Sequence, residues 1–353
     1  LDGDCEFDAV TVDSGDTLDL NGQRIELSGT LDIDGTLDAD GLIVSSGAID
    51  EDGGFSNAAS CDMILTGATS HDLRGTTHRN IMINTGTGTS YNNATKDFGT
   101  TPFTVASGTF EPGTSGRDVT CGDFRVATGG TFTANTLTEL TVAGDFTTSG
   151  GLIGKSGYEG NGTDTIITLD SEIASDTTST VEFWINADAT GWDCVVGGTS
   201  NNRGYFFKDY GITIGHAGGY LHLGQTDPVA SLNKWHHFAI THSGGTATLY
   251  VDGKKIDSGA VATPPTVKFI GADYAGDAER FDGTIARVSV WNVALTEGQI
   301  RNLLFKDWTA MAADNYDGSS NPNGFNDAEC IGWWQFDEGS GTDVADSSAS
   351  GND

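Results

Sequence analysis

Acidic side chains are the most abundant groups in this sequence that could do chemistry, so glycoside hydrolysis is the first activity to consider. The chain has 50 Asp and Glu residues. Retaining hydrolysis needs two carboxyl groups about 5 to 5.5 Å apart, and β-sandwich hydrolases place them on one strand in motifs such as ExDxxE. No ExDxxE occurs in the second half of the chain, and Asp337 and Glu338 would point to opposite faces of a strand. The pattern therefore argues against an enzyme.

The serines and histidines form no familiar hydrolase or zinc motif. GxSxG and HExxH are both absent from the sequence. His216, His222 and the pair His236-His237 could be considered as zinc ligands, but their spacing matches no known ligand motif. We therefore predict no zinc site and expect the His236-His237 pair to lie in a strand.

Another group of residues has the chemistry of sugar recognition. Flat aromatic faces stack on sugar C–H groups, while amide and charged side chains bind hydroxyls. Residues of these types that fall in loops between expected strands are Trp192, Asn201, Asn202, Arg203, Tyr210 and Tyr274. Each of them also fits the half-buried rim of a strand, so these residues alone do not establish a ligand.

The composition indicates many short strands joined by tight turns. There are 50 Gly and only 6 Pro, with 37% hydrophobic residues. The formal net charge of −33 repels phosphate backbones and anionic headgroups, which excludes nucleic acid as a partner. No apolar run reaches the ~18 residues of a membrane span. The first residue is Leu1 rather than Met, so we expect a soluble, processed or truncated piece with an extracellular, cell-surface or virion location.

The five cysteines are far apart and include no CxxC pair. This spacing argues against a zinc ribbon or a thioredoxin-type site. An odd number leaves at least one thiol without a partner in the chain. Two interpretations of Cys61 and Cys121 stay open at this point: a disulfide within the first half, or two buried thiols.

The first half of the chain repeats itself. Phe103-Thr-Val-Ala-Ser-Gly-Thr-Phe110 recurs as Phe124-Arg-Val-Ala-Thr-Gly-Gly-Thr-Phe132, and a fainter copy begins at Phe146. The offsets of 21 and 22 residues are typical of one coil of a β-solenoid, whose short strands stack through parallel hydrogen bonds. We therefore predict a solenoid over residues 1–152.

A shorter repeated pattern precedes these repeats, in the segments that begin at Thr17, Thr30 and Thr36. In each segment Leu or Ile is expected to point inward and Asp outward. Their outward acids, Asp19, Asp32 and Asp38, could be a calcium stack or glycosidase carboxylates. Solenoid calcium sites of the nonapeptide type need GGxGxD, which is absent. We therefore interpret the three acids as one solvated polar ladder and expect irregular loops over residues 50–100.

The second half changes to longer, aromatic-rich strands, with no helices between them. They are expected at Val181–Ile185, Gly204–Phe207, Tyr220–Leu223, Trp235–Ile240 and Ala247–Gly253. Three segments in order, Trp235-His-His-Phe-Ala-Ile-Thr-His242, Ala247-Thr-Leu-Tyr-Val-Asp-Gly-Lys254 and Phe281-Asp-Gly-Thr-Ile-Ala-Arg-Val-Ser-Val-Trp-Asn292, resemble the laminin-G-like, concanavalin A-like jelly-roll family. The resemblance covers residues 155–306 and implies a lectin-like β-sandwich.

Two further segments extend this resemblance. Ala294-Leu-Thr-Glu-Gly-Gln-Ile-Arg-Asn-Leu303 resembles the short helix that follows the family's last strand, with Thr296 as its N-cap. The segment from Ile331 to Asp353 resembles the edge segment that usually opens the module, yet here it stands at the end. It either completes a permuted sandwich, which we favour, or begins another copy.

The resemblance also implies a metal, because many relatives of this fold hold calcium near the sheet edge. Calcium is therefore the metal to consider, with Asp273, Asp277 and Glu279 as its candidate ligands. An alternative place is formed by Asn161 and Asp164 near Asp282. An ordinary acidic hairpin is the competing interpretation.

Together these observations predict an all-β chain with three parts. A parallel β-solenoid stalk covers residues 1–152, a laminin-G-like sandwich covers residues 153–306, and a C-terminal segment covers residues 307–353. Solenoids joined to lectins resemble phage fibres, virion decorations and adhesins. We therefore expect a non-enzymatic surface protein that binds a glycan or surface glycoprotein.

Other assignments of function stay open. The chain could instead be a structural building block of a capsid, sheath or filament, in contact with other virion or cell-surface proteins. It could also be a polysaccharide-degrading enzyme with a lectin-like accessory domain, for which Arg117, Asp118, Asp123 and Arg125 are the only weak match. A homo-oligomer is open as well, although no coiled-coil heptads enforce one.

Overall fold

The computed structural model divides the chain into two compact units, Leu1–Leu152 and Ile153–Asp353. It describes all residues except 74–76, 93–95, 113–116, 135–136, 151, 154–156, 175, 201–202, 227, 274–278, 316–320, 322 and 340–342. The two α-helices in the described part have seven and six residues. Among the described residues, no helix is long and apolar enough to cross a membrane.

The first unit consists of short strands and one 3-10 turn at Ala58–Ser60. The strands of its N-terminal part are β1 Cys5–Phe7, β2 Val10–Val12, β3 Thr17–Asp19, β4 Arg24–Leu27, β5 Leu31–Ile33, β6 Thr36–Asp38, β7 Leu42–Ser45, β8 Ile49–Glu51 and β9 Gly54–Ser56. They continue as β10 Asp62–Leu65, β11 Ser70–His71, β12 Asn80–Asn92, β13 Lys96–Asp97, β14 Phe103–Glu111, β15 Arg117–Cys121, β16 Phe124–Ala127, β17 Gly130–Phe132, β18 Leu137–Val142 and β19 Phe146–Gly150.

All pairings in this unit are parallel, as a solenoid requires. One long sheet runs in the order β1-β4-β7-β10-β12-β14-β16-β19, and the early coils add the sheets β2-β5-β8 and β3-β6-β9. Each early coil therefore contributes one strand to each of three sides. A further sheet, β13-β15-β18, forms a side of the later coils. The predicted β-solenoid is confirmed.

The later coils follow the repeat that the phenylalanines indicated. Phe103, Phe124 and Phe146 occupy the same register position on neighbouring strands. Their rings stack in turn, with centroids 5.8 and 5.6 Å apart and planes 5° and 7° from parallel. An offset of 21 or 22 residues therefore advances the chain by one coil.

One prediction about the earlier coils was wrong. Asp19 and Asp38 face each other in one sheet, whereas Asp32 lies in another sheet opposite Asp50, so the three acids do not form one ladder. The reason is that the short step from Thr30 to Thr36 passes from one side of a coil to the next. Residues 50–100, where irregular loops were expected, contain irregular segments between strands, while β10 and β12 continue the long sheet.

The solenoid interior is filled by buried aliphatic and aromatic side chains, and it also encloses two cysteines. Cys61 and Cys121 are fully buried free thiols, and so the disulfide interpretation was wrong. Burial raises the pKa of the Cys121 thiol to about 11. A thiol kept protonated in this way behaves as a small apolar side chain.

The second unit is antiparallel throughout its named strands. They are β20 Tyr158–Asn161, β21 Ile167–Ile173, β22 Ser179–Ala187, β23 Asp193–Gly197, β24 Gly204–Lys208, β25 Gly211–His216, β26 Gly219–Leu223, β27 Trp235–Ser243, β28 Thr246–Val251, β29 Lys254–Ala260, β30 Val267–Ile270, β31 Asp282–Trp291 and β32 Cys330–Trp334. The helices are α1 Glu297–Leu303 and α2 Trp308–Ala313, and Asp327–Glu329 is a 3-10 turn.

These strands form two sheets that enclose one apolar core. The larger sheet has the order β20-β31-β22-β27-β28-β29 with β32 also paired to β31, and the smaller has the order β21-β30-β23-β24-β25-β26. Alternate residues of both sheets fill the core between them, including Phe183, Phe238, Tyr205 and Ile214. This arrangement is the predicted sandwich.

The C-terminal part of the unit lies on the larger sheet. Thr296 is the N-cap of α1, as predicted, and it forms a capping box with Gln299. Cys330–Trp334 is a strand beside β31, and Trp333 and Trp334 are fully buried. The tail after it reaches β21, where the Asn352 side chain bonds both backbone groups of Ser171. Within this chain, the displaced segment is therefore part of the sandwich.

Candidate functional site

The candidate site lies on the outer face of the smaller sheet. Tyr205, Phe207, Ile212 and Ile214 point into the core from β24 and β25. Since side chains alternate along a strand, the residues between them point outward. On β26, Leu221 and Leu223 pack against the core, which leaves Tyr220 and His222 on the outer face.

An exposed pair of aromatic rings marks this face. Trp192, just before β23, lies with its ring centroid 4.9 Å from Tyr220 and 5.7 Å from the buried ring of Phe206. Trp192 is 37% exposed and Tyr220 is 43% exposed, although both are large apolar side chains. His222 stacks beside Tyr220 with a centroid distance of 6.5 Å. We call Trp192, Tyr220 and His222 the aromatic platform.

A chain of hydrogen bonds orients the histidine of the platform. Gln225 donates from Nε2 to Thr213 Oγ1 at 2.7 Å and to the Lys208 carbonyl at 2.9 Å. Thr213 Oγ1 is 2.9 Å from His222 Nδ1. This contact engages Nδ1 of the His222 ring, and Nε2 is the ring nitrogen that does not face Thr213.

Charged groups border the platform at both ends. Lys208 Nζ lies 5.1 Å from the centroid of the Trp192 ring, within cation–π range. Partial burial raises the pKa of Tyr220, and the nearby carboxylates Glu279 and Asp273 raise it further, while Arg203 acts in the opposite direction. The pKa of His216 is lowered by burial and by Arg203. Groups of both signs therefore act on Tyr220.

The structure brings together some of the predicted sugar-contact residues. Trp192 belongs to this face, and Arg203 lies close enough to lower the pKa of Tyr220. Tyr210 does not join the described platform contacts: it sits in the β24–β25 turn with φ 63° and packs against the core. Asn201, Asn202 and Tyr274 lie outside the described residues.

Sequence reasoning missed Tyr220 and His222 as site residues. The signal that could have found them is the alternation in Tyr220-Leu-His-Leu223, where two inward leucines leave an aromatic and an imidazole outward. Their contact with Trp192 depends on strand order in the smaller sheet, which spacing along the chain does not reveal.

Of the predicted calcium ligands, Asp273 is fully buried and Glu279 is partly buried, while Asp277 lies outside the described residues. Both described carboxylates act on the same neighbour, since burial first and then Asp273 and Glu279 raise the pKa of Cys194. At the alternative place, Asn161 Nδ2 donates to Asp164 Oδ1 at 2.7 Å. That pair closes a turn of its own.

Within the described part of the chain, only one acidic, histidine or cysteine group has three ligand atoms within 4.8 Å of one another: Asp19, Asp38 and Asp40. Each of these carboxylates already accepts a hydrogen bond, from the Asn21 amide, the Asn57 side chain and the Gly22 amide respectively. They fit the structural polar face that the sequence predicted for Asp19 and Asp38.

The histidines once considered for zinc have partners in the protein. His236 Nδ1 lies 2.8 Å from Asp252 Oδ2, and His237 Nε2 lies 2.7 Å from Glu182 Oε2. His222 is bonded to Thr213 as described above. The described residues therefore do not gather these rings into a ligand set.

The outer face of the larger sheet carries a buried polar network. Glu182, Arg287, His237 and Ser289 are all fully buried there. Arg287 donates to both carboxylate oxygens of Glu182 at 2.9 and 2.8 Å, and it also bonds the Leu303 carbonyl near the end of α1. Burial alone would raise the pKa of Glu182, but Arg287 and His237 hold it well below its usual range.

This network supports packing rather than an open site. Its carboxylate is satisfied on every side, and residues of α1, α2 and β32 pack over the same face, including Ile300, Met311 and Trp333. The remaining acidic pair has structural roles as well, since Asp337 accepts from Gln335 and Glu338 accepts from the Ala345 amide.

Comparison with known proteins agrees with this architecture. Residues 161–301 match the family model of the concanavalin A-like lectin/glucanases superfamily. Among solved structures, a putative carbohydrate binding protein from Bacteroides ovatus is 20% identical over 54% of this chain and 57% of its own, with a TM-score of 0.37.

Two further structures show similar values. A SAP-like pentraxin from Limulus polyphemus is 20% identical over 41% of this chain and 78% of its own, with a TM-score of 0.31. Domain 4 of an extracellular arabinanase from Geobacillus stearothermophilus, solved with arabinotriose, is 18% identical over 43% and 74%, also with a TM-score of 0.31. The family match and the sheet topology identify residues 161–301 as a laminin-G-like, concanavalin A-like domain, and the β-solenoid precedes this domain in the sequence.

Proposed function

We propose that this chain is a non-enzymatic binding protein of a cell or virion surface, and that its sandwich recognises glycans or glycoproteins at the aromatic platform. The observation that carries the proposal is the exposed contact between Trp192 and Tyr220, at a ring distance of 4.9 Å. Two of the four large apolar side chains exposed in the described residues therefore touch each other on one sheet face.

The chemistry of this face suits a sugar. Aromatic rings offer stacking surface for the C–H groups of a pyranose. The imidazole Nε2 of His222 and the charged side chains at the platform edges offer partners for hydroxyls. Among the described residues, the other two exposed large apolar side chains, Phe7 and Phe146, lie in the solenoid unit.

A glycan array of the intact chain tests this function. We expect a defined set of glycans to bind the wild type and to be lost with Trp192→Ala. Phe7→Ala is the matched control, because Phe7 is 38% exposed but lies in the solenoid strand β1. Absence of binding to every glycan, together with assembly of the protein into fibres or docking on a particle, would instead support a structural building block.

Calcium is proposed as the metal of the sandwich, held by Asp273 and Glu279 with Asp277. The burial of Asp273 supports this, as does the action of Asp273 and Glu279 on the same neighbour, Cys194, because carboxylate oxygens are the ligands that calcium prefers. Calcium at 100 times its Kd should stabilise the folded sandwich by about 2.7 kcal/mol.

The test is thermal unfolding in EDTA and in excess calcium. We expect Asp273→Asn to abolish the calcium-dependent rise in Tm and the exposed-site control Asp327→Asn to keep it. An equal rise in Asp273→Asn would show that calcium acts elsewhere. No rise in the wild type would remove calcium from the proposal and leave the platform unaffected.

A further inference from the structure

Basic residues are scarce in this protein, yet two of them border the aromatic platform. The chain has 17 Lys and Arg against 50 Asp and Glu. Lys208 is at the end of β24 beside Trp192, and Arg203 stands just before the start of the same strand. In so acidic a chain, two cations at the edges of one exposed surface bear on which ligands that surface accepts.

Lys208 holds its charge at the edge of the tryptophan ring. Its Nζ lies 5.1 Å from the Trp192 centroid and 2.6 Å from Asp209 Oδ2. The Asp209 side chain is 60% exposed, and ion pairs this close to solvent are weak and screened by salt. A ligand anion that also gains contact with the ring can therefore displace Asp209 from Lys208.

Arg203 has donor capacity that the described residues do not use. Its backbone carbonyl accepts from the Gly198 amide, but its Nη1 is buried and has no hydrogen-bond partner in the described part of the chain. A buried donor without a partner is unfavourable until an acceptor arrives. The planar guanidinium matches carboxylate and sulfate oxygens particularly well.

The carboxylates near the platform affect where a ligand anion would bind, because they repel it. Asp273 and Glu279 raise the pKa of Tyr220 and Arg203 lowers it, so an anion near Tyr220 meets repulsion as well as attraction. At the tryptophan end the described contact of Lys208 with an acid is to the exposed Asp209. The tryptophan end is therefore the more favourable place for a negative group.

We propose that the aromatic platform selects glycans that carry an anionic group, with Lys208 pairing that group beside Trp192 and Arg203 giving a second cationic contact. This inference rests on the proposed glycan-binding function and names the ligand class of the same site. Carboxylate and sulfate share the chemistry that the two cations recognise, and the test separates them.

The experiment is a glycan array of neutral oligosaccharides together with their uronate, sialylated and sulfated counterparts, probed with the intact chain at low salt. We expect the acidic member of a bound pair to be preferred about tenfold, equivalent to one charged contact. Lys208→Gln should remove most of that preference, and Arg203→Gln should reduce it less. Lys255→Gln, an exposed lysine on β29, makes the same charge change away from the platform and should leave the preference intact.

Each outcome bears on a different claim. Neutral and acidic counterparts binding equally, or a preference that survives Lys208→Gln, would overturn the anionic inference. If such binding is still lost in Trp192→Ala, the proposed glycan-binding function stands without it. Binding to no glycan would contradict both the glycan-binding function and the preference for anionic glycans. Thermal unfolding of Lys208→Gln at the wild-type Tm shows that a lost preference is not lost folding.

Discussion

The two outer faces of the sandwich follow the same alternation of residues, but one is buried and the other is exposed. On the larger sheet, the outward side chains of β22 and β31 include Glu182 and Arg287, and both are buried under the C-terminal helices and strand. On the smaller sheet, outward Tyr220 and the neighbouring Trp192 remain exposed. Buried polar groups must form hydrogen bonds with one another, whereas exposed aromatic rings are stabilised when a ligand covers them. The comparison therefore separates a face that contributes to stability from the face proposed to bind a ligand.

The largest effect on stability is expected from breaking the covered network. Arg287→Met leaves the fully buried carboxylate of Glu182 without its main partner. Removal of one member of a buried ion pair costs about 3 to 5 kcal/mol of unfolding free energy. Urea unfolding followed by tryptophan fluorescence should show this loss, because the network lies beside Trp184 and Trp333.

A double variant sharpens that prediction. Glu182→Leu together with Arg287→Met should recover most of the loss, since an apolar pair leaves no isolated charge. Lys255→Met serves as the control on an exposed strand. A loss below about 1 kcal/mol for Arg287→Met alone would mean that the two faces do not differ in the way proposed.

A smaller effect is expected where the tail is fixed to the covered side. Asp346 is 9% exposed and its carboxylate accepts five hydrogen bonds, from Ser350 Oγ, Ser348 Oγ and the amides of Trp333, Ser348 and Asn352. Asp346→Asn keeps the shape but replaces one acceptor oxygen with a donor group. We expect a loss of about 2 kcal/mol at neutral pH, measured by urea unfolding.

The same carboxylate makes this contribution dependent on pH. Burial alone would raise the pKa of Asp346, but its hydrogen bonds, led by that of Ser350, lower it. The stabilisation is therefore complete above the unfolded pKa of about 3.9 and is lost as the pH falls through the lower folded value. The difference between wild type and Asp346→Asn should shrink from pH 7 to pH 3. A difference that stays constant would contradict the charged role.

Sequence patterns revealed the fold where the same residue type recurs at the same place in each coil. The phenylalanines at 103, 124 and 146 do so, and they stack as expected. The earlier coils were misread because Thr30 and Thr36 begin similar strands on two sides of one coil. A local motif does not show which side of a coil it occupies.

The candidate site was recovered only in part, for a related reason. Loop position identified Trp192 and Arg203, but Tyr210 has a similar setting and packs against the core. Tyr220 becomes a site residue because β26 lies at the end of the smaller sheet and Trp192 reaches it across Phe206. Such contacts follow from strand order, which the printed sequence does not contain.

The smallest effect on stability, and the largest on binding, is expected on the open face. Trp192→Ala removes a ring that is already 37% exposed, so the unfolding free energy should fall by about 1 kcal/mol or less. Calorimetric titration with a glycan from the array measures binding directly, with Phe7→Ala as the exposed aromatic control. The account predicts that Trp192→Ala abolishes detectable binding while Phe7→Ala binds as the wild type does. Unchanged binding by Trp192→Ala would contradict the central claim that the exposed face of the smaller sheet is the recognition surface.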